Sequence, residues 1–313
     1  VGNESEITPL AFYEHWLTVG DMYRNYVGVD PVFERTALGA LRRPFLRWLG
    51  FPFYFGLANR GYGLRLNGKI AGVIYLQYRK MVAHINDIEV NRPFQGQKLS
   101  YHLLDFAQRQ AIRRKKRFLT LVVTLSNSRA LALYRKTGFL DQHHRYYYLS
   151  QLPLQATKTS PDDKGSKKLI LRPLQGRAAA DNLHYFFKHE THLSEPLTGE
   201  VWEALYPPRL PGRGRGSSYA VIWDNSSQPS GHADFFDWPG HGRWRIYLAS
   251  DYWGSADERA LLELLIRYNQ VNGLSRLSIL LGSASHHSKA KEIAQSLGFE
   301  ERDSERMLMI KPV

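Results

Sequence analysis

The chain has 313 residues, no cysteine, 43% hydrophobic residues and a formal net charge of +13. Lack of cysteine excludes disulfides, thiolate metal sites and a cysteine nucleophile and fits a reducing compartment, while this apolar content excludes a disordered or fibrous chain and this length accommodates two domains. Residues 1–150 hold 22 Lys+Arg against 10 Asp+Glu, and residues 151–313 hold 20 against 19, so the first half is the one suited to an anionic ligand.

The first 60 residues carry Trp16, Tyr23, Tyr26, Phe45, Trp48, Phe51, Phe53, Tyr54 and Phe55. Core packing accounts for most of these aromatics; Arg42, Arg43 and Arg47 among them also permit a helix lying on a membrane surface. The longest apolar stretch, Trp48 to Ala58, is interrupted by Gly50, Pro52 and Gly56 and is about half the span of a membrane helix. No signal-peptide pattern opens the chain, so a soluble cytoplasmic protein without a transmembrane segment is expected. Gly63–Leu66 and Ile70–Tyr78 flank Asn67-Gly68, the dipeptide best suited to a two-residue hairpin turn, and Met81–Val90 is a third strand. Gln97–Arg113 carries Leu99, Leu103, Leu104, Ala107 and Ala111 at helical spacing. The basic run Arg113–Arg117 that follows is expected to be a solvated helix end. Arg117–Thr124 is a buried strand of the parallel kind, Asn127–Thr137 a short helix ending at Gly138, and His143–Leu149 a strand.

Residues 152–167 are polar, contain two prolines and lack periodicity, which marks a linker between a domain at 1–151 and a domain at 168–313. Beyond it the order recurs. Strands are predicted at Leu169–Leu174, Tyr219–Trp223, Ala233–Trp238, Trp244–Ala249, Arg276–Leu281 and Met307–Lys311, with helices up to about Lys188, over Glu258–Val271 and over His286–Leu297. Gly72 and Gly231 differ by 159, and Gly138-Phe139 and Gly298-Phe299 by 160. The halves therefore read as a duplication of one mixed α/β unit, antiparallel strands leading into β-α-β-α-β.

Two segments carry chemistry. Val90-Asn91-Arg92-Pro93-Phe94-Gln95-Gly96-Gln97-Lys98-Leu99-Ser100 joins a strand to a helix, where unpaired N–H groups and the positive end of the helix dipole suit a pyrophosphate. Asn127-Ser128-Arg129-Ala130-Leu131-Ala132-Leu133-Tyr134-Arg135-Lys136-Thr137-Gly138-Phe139 opens with a good N-cap and puts Tyr134 about two turns later on the same face. A tyrosine there can bury its ring and aim its hydroxyl at a reacting centre; core packing is the commoner fate of such a residue.

These segments resemble the GCN5-related N-acetyltransferase (GNAT) superfamily. The second matches its Asn-x-x-Ala-x-x-Leu-Tyr-x-x-x-Gly-Phe pattern at every fixed position. In the first, Gln95 and Ser100 fit the Gln/Arg-x-x-Gly-x-Gly/Ala loop, and Lys98 stands where glycine is expected. The resemblance covers residues 60–150 by motif and 168–313 by strand order. It implies that acetyl-CoA, or another acyl-CoA, is the co-substrate, that the backbone of Ile88, Glu89 and Val90 meets the pantetheine arm, and that Gln95, Gly96, Gln97, Lys98, Leu99 and Ser100 wrap the pyrophosphate. It further implies that Asn127 and Ala130 orient the arm and that Tyr134 protonates the departing thiolate. The acceptor would be a small-molecule or peptide amine, with no nucleic acid partner.

Acyl transfer needs a neutral amine, hence a proton acceptor. His84, Asp87 and Glu89 are the candidates, with a water chain as the alternative. Strand alternation puts His84 on the face of Ile88 and Val90, opposite Asp87 and Glu89, unless a bulge swaps that parity. In the second half the offset maps Asn127 to His287, Ala130 to Ala290, Leu133 to Ile293 and Tyr134 to Ala294, and the loop counterpart Gly254–Glu258 carries two carboxylates where pyrophosphate would lie. That half is expected to keep the fold without the CoA chemistry. Pro207–Ser217 is a basic surface loop that could cover a cleft, and His241, His286 and His287 supply no metal-ligand spacing. The rival expectations are a CoA-binding sensor or scaffold without catalysis and, third, a nucleic-acid-binding protein.

Overall fold

The computed structural model describes residues 5–11, 13–14, 59–151, 169–190, 216–223, 228–238, 241–281 and 287–313. The aromatics from Trp16 to Phe55, the predicted linker 152–167, residues 207–215 and His286 lie outside the described residues. In the first part of the chain the elements are β1 (Ser5–Pro9), β2 (Arg60–Leu66), β3 (Lys69–Tyr78), β4 (Val82–Val90), α1 (Leu99–Arg113), β5 (Phe118–Thr124), α2 (Ser128–Lys136) and β6 (Leu140–Gln151). Further along the chain come β7 (Leu169–Leu174), α3 (Gly176–Glu190), β8 (Gly216–Trp223), β9 (Gly231–Trp238), β10 (His241–Leu248), α4 (Ala256–Val271), β11 (Arg276–Leu281), α5 (His287–Ser296) and β12 (Glu300–Pro312).

Contacts group the described residues into two compact units. One holds residues up to Val123, Asn127–Asp141 and Leu308–Val313, and the other holds Thr124–Ser126 and Gln142–Met307. These divisions fall inside β6 and β12 rather than at the linker, so the last six residues of the chain pack with its first part.

In the first unit β1, β2, β3 and β4 pair antiparallel and β4 pairs parallel with β5. The hairpin between β2 and β3 turns on Asn67 and Gly68, both at positive φ, as a two-residue turn matched to strand twist requires. The buried face of α1 is Leu99, Leu103, Leu104, Ala107 and Ala111, the stripe the spacing predicts. It lies close to the sheet because β3 has no side chain at Gly72, where a Cβ would come within 2.9 Å of Glu89 O and 3.2 Å of Leu103 Cδ1. The basic run after α1 differs from a plain solvated end. The Arg114 guanidinium lies 4.2 Å over the Tyr78 ring, and Lys116 Nζ donates to Arg79 O at 2.6 Å, so these cations fasten α1 to the β3–β4 turn.

The second unit repeats the plan in the order β6-β11-β10-β9-β8-β7, antiparallel apart from the parallel pair β10–β11. Leu261, Leu262, Leu265 and Ile266 of α4 pack on Trp244, Ile246, Phe235 and Ile279. Gly231 has the role of Gly72, since a Cβ there would lie 2.7 Å from Tyr247 O. The first turn of α4 is closed by a capping box. Ser255 Oγ accepts from Asp257 N at 3.1 Å, and Glu258 Oε2 reaches back to accept from Gly254 N at 2.6 Å. Glu258 is 1% exposed.

Burial pushes the Glu258 carboxyl up to about 7, against the opposing pull of the Gly254 N–H. A carboxyl whose folded pKa lies above its unfolded value costs stability as pH rises past the unfolded value near 4.5, and the cost is complete above 7. Glu258→Gln keeps an acceptor for Gly254 N and removes the charge. Thermal unfolding should show the variant more stable than the parent at pH 8, by about 3 kcal/mol at most, with little difference near pH 4.5. Parallel stability curves for the two proteins across this range would contradict the buried carboxyl.

Candidate active site

The decisive local feature is one extra residue in β4. Paired positions run Gly72↔Val90, Val73↔Glu89, Ile74↔Ile88 and Tyr75↔Asp87, then shift to Leu76↔Ile85, Gln77↔His84 and Tyr78↔Ala83. Asn86 is thus the bulged residue, and its side-chain amide donates to Asn59 Oδ1. Residues directly opposite each other share a face. His84, Asp87 and Glu89 therefore lie together on the face of Val73, Tyr75 and Gln77, while Ile85, Ile88 and Val90 face α1. Plain alternation separates His84 from the two carboxylates, and the bulge removes that separation. The sequence carries a trace of it, because Ile85 and Ile88 are three apart and cannot share a face on a regular strand.

The bulge also ends a pairing. β4 and β5 are in register from Val82↔Phe118 to Ile85↔Leu121 only, although β4 continues to Val90 and β5 to Thr124. Beyond Ile85 the β5-facing edge of β4, including the main chain of Ile88, Glu89 and Val90, is left without β5. In the second unit β10 has no bulge, and it stays paired with β11 over six positions, His241↔Arg276 to Ile246↔Leu281.

Tyr134 projects from α2, is 8% exposed, and packs edge-on against Phe139 with ring centroids 5.9 Å apart. Burial first, and then the Asp87 carboxylate, push its hydroxyl pKa up. The same carboxylate, with Glu89, acts on Tyr75, whose pKa burial also raises. Tyr134, Tyr75, Asp87 and Glu89 thus form one electrostatic group; Tyr75 was not singled out from sequence, since a tyrosine inside an apolar strand looks like core. His84 Nδ1 lies 2.9 Å from Thr120 Oγ1, and burial, then Arg79, lower its pKa to about 4. A neutral ring with so low a pKa is a weak proton acceptor at neutral pH.

The strand–helix loop has two residues at positive φ, Gly96 and Lys98. Lys98 is the N-cap of α1 in the left-handed conformation, with no side-chain cap bond and no acidic residue in the first turn. The N-terminus of α1 thus keeps its positive end open, whereas α4 closes its own with Ser255 and Glu258. Gln95 is exposed, and its Nε2 donates to Val90 O at 3.0 Å. Gln97 is exposed, Ser100 half-buried, and Leu99 buried in the core, so Leu99 offers main chain alone. Asn127 Oδ1 accepts from Ala130 N at 3.1 Å, the N-cap predicted for α2. Among the described residues no group of three or more His, Cys, Asp or Glu could hold a metal ion, and no helix is long and apolar enough to cross a membrane.

Residues 29–139 match the family described as acetyltransferase (GNAT) family. The chain is 27% identical over 162 residues to the N-terminal acetyltransferase B complex catalytic subunit NAA20 of Arabidopsis thaliana, covering 51% of this chain and 90% of that protein. Over residues 29–139 the chain is thus similar to the GNAT family. Its fold resembles a GCN5-related N-acetyltransferase from Sphaerobacter thermophilus at TM-score 0.61 and 13% identity, over 100% of this chain and 96% of that one. It also resembles a tandem GNAT protein from the clavulanic acid biosynthesis pathway at TM-score 0.50 and 15% identity, over 99% and 98%. In this chain Lys98 holds a left-handed conformation that costs an L-residue about 1 kcal/mol. Lys98→Gly should therefore raise the stability of the protein in urea by about 0.5–1 kcal/mol after the entropy of glycine is counted. A destabilised variant would argue against the left-handed cap.

Proposed function

We propose that the first unit transfers an acetyl group from acetyl-CoA to an amine, and that the second unit retains the fold without the chemistry. The observation that carries this reading is the divergence of β4 from β5 beyond Ile85, with Tyr134 and Asp87 in one electrostatic group. Acetyl-CoA supplies an activated thioester carbonyl and a thiolate leaving group. The freed β4 edge at Ile88, Glu89 and Val90 offers main-chain groups to a pantetheine arm, and the open N-terminus of α1, from Gln95 to Ser100, suits the pyrophosphate. Asn127 shapes the approach indirectly, by capping α2.

Asp87 is the proton acceptor in this reading. It is half-buried on the site face of β4, and its charge already acts on Tyr134. It takes the proton of an incoming ammonium, directly or through water, and so releases the nucleophilic lone pair. Tyr134 does the opposite task. Its raised pKa keeps the hydroxyl protonated at neutral pH, so it can donate to the departing sulfur. His84, tied to Thr120, holds β4 against β5 where the strands still pair, and Glu89 adds negative charge that favours a cationic acceptor. The relative is named an N-terminal acetyltransferase; a peptide α-amine is accordingly the first acceptor to try.

The second unit lacks each of these elements. β10 and β11 stay zipped, Ala294 stands at the position of Tyr134, and Glu258 sits where pyrophosphate would lie. At the register of Tyr75↔Asp87 it has Asp234↔Arg245, a buried pair with Arg245 Nε donating to Asp234 Oδ2 at 3.0 Å.

Tyr134→Phe should lower turnover by roughly a hundredfold while acetyl-CoA affinity, measured calorimetrically, stays within a few-fold. Acylation at the parent rate would remove the general-acid role. Asp87→Asn should lower turnover and erase the acidic limb of the kcat/KM–pH profile, where an ionised base is lost as pH falls. A parent-like profile would reassign the base. If the parent binds acetyl-CoA yet releases no CoA with any peptide, amino acid or polyamine, the chain is a sensor rather than an enzyme.

A further inference from the structure

The last residues of the chain reach the proposed centre of the first unit. Lys311, on β12, is half-buried, and its Nζ donates to Thr137 O at 2.6 Å and to Gln108 Oε1 at 2.8 Å. Thr137 is the C-cap of α2, and Gln108 lies in α1. The lysine stem runs along Gly138, whose φ is positive and whose added Cβ would lie 3.5 Å from Lys311 Cε. Two residues further, Val313 N donates to Arg117 O at 3.1 Å, anchoring this segment beside β5.

The chemistry of this contact is specific. The carbonyls at a helix C-terminus carry partial negative charge, and a lysine there both satisfies an orphan acceptor and complements the dipole. α2 is held at its two ends by its own residues, Asn127 capping the start and Phe139 N bonding to Tyr134 O at 3.0 Å at the finish, and the Lys136 ammonium adds a cation–π contact to Tyr101 of α1 with 5.9 Å to the ring centroid. Neither bond ties α2 to α1. Lys311 supplies a hydrogen-bonded bridge, joining the helix that bears Tyr134 to the helix whose N-terminus faces the proposed pyrophosphate site. Thr137 lies three residues after Tyr134, so a shift of this helix end is transmitted to the tyrosine through less than one turn.

We infer that Lys311 is a positioning residue for Tyr134, setting the general acid in place by bridging the C-terminus of α2 to α1; this rests on the acetyltransferase reading above. The lysine touches no substrate. Its effect falls on the alignment of the acid with the leaving sulfur, and misplacement of a catalytic group by about 1 Å can cost a hundredfold in rate. Linker-bounded fragment 1–151 lacks this residue.

The test is made on the full chain. Lys311→Met keeps the stem and removes the donor, and Lys311→Arg restores a donor of the same charge. Turnover with acetyl-CoA and a peptide amine, KM and Kd for acetyl-CoA, and the thermal transition are measured for each. The expected result is a fall in kcat of tenfold or more for Lys311→Met, with KM and Kd for acetyl-CoA within threefold, and recovery of at least half the lost rate, on a logarithmic scale, in Lys311→Arg. A Lys311→Met protein with parent kcat overturns the inference. So does a parallel loss of acetyl-CoA affinity and thermal transition that Lys311→Arg leaves unrepaired, because that is the signature of a merely structural strand. Should Lys311→Met fail to fold, Gln108→Leu, which removes one acceptor, must show the same split between kcat and KM, and its absence overturns the inference. A parent chain that neither binds acetyl-CoA nor releases CoA overturns the acetyltransferase reading instead, and that result is seen before any variant is made.

Discussion

An additional residue in one strand of an antiparallel pair cannot be absorbed by the ladder. It must be extruded, and everything beyond it turns over. Asn86 is that residue in β4, and it is held out of the ladder by its bond to Asn59. Two consequences follow from one geometric fact. His84, Asp87 and Glu89 come to share a face with Tyr75, and β4 turns away from β5 after Ile85. A polar asparagine is suited to the place, since it sits exposed and pairs through its side chain. The main-chain groups of Ile88 to Val90 then lie beyond the last β4–β5 pair.

The second unit is the comparison that the chain carries within itself. Gly72 and Gly231 both lie where a Cβ would meet a main-chain carbonyl of the neighbouring strand, and the Leu-rich faces of α1 and α4 match. What differs is how each half satisfies its polar groups. The first leaves a helix N-terminus open and a strand edge unpaired by β5. The second fills the same places from within, using Ser255, Glu258 and an unbroken β10–β11 pairing. An occupied helix N-terminus has little left to offer a phosphate. Asp234 makes the same point on the other face. Burial would raise its pKa, yet Arg245, His232 and Ser218 together hold it well below the usual carboxylate range, so that carboxylate is committed to the fold.

Apolar periodicity located most of the described elements because burial of a stripe or a face is a local, repeating demand. The α1 stripe, the Asn67-Gly68 turn and the Asn127 cap each follow from residues within a few positions of one another. Alternation failed at β4, where a rule of strict period two meets one extruded residue. The basic run after α1 also reads differently once folded, since Arg114 and Lys116 find the β3–β4 turn about 35 residues back in sequence. Tyr75 gave no local cue, because its significance lies in its cross-strand partner Asp87.

By itself the sequence determined the resemblance to the GNAT family, through Asn127–Phe139, the duplicated order of strands and helices, and the half of the chain that bears the Asn127–Phe139 motif. These are properties of short segments, set by capping, periodicity and residue type. Only the tertiary structure decided which face His84 occupies, where β4 leaves β5, that Lys98 takes the left-handed conformation in place of a glycine, and that Lys311 reaches α1 and α2. Each of those depends on residues far apart in the chain arriving at one place, and a pairing register or a long-range donor leaves no mark in local composition.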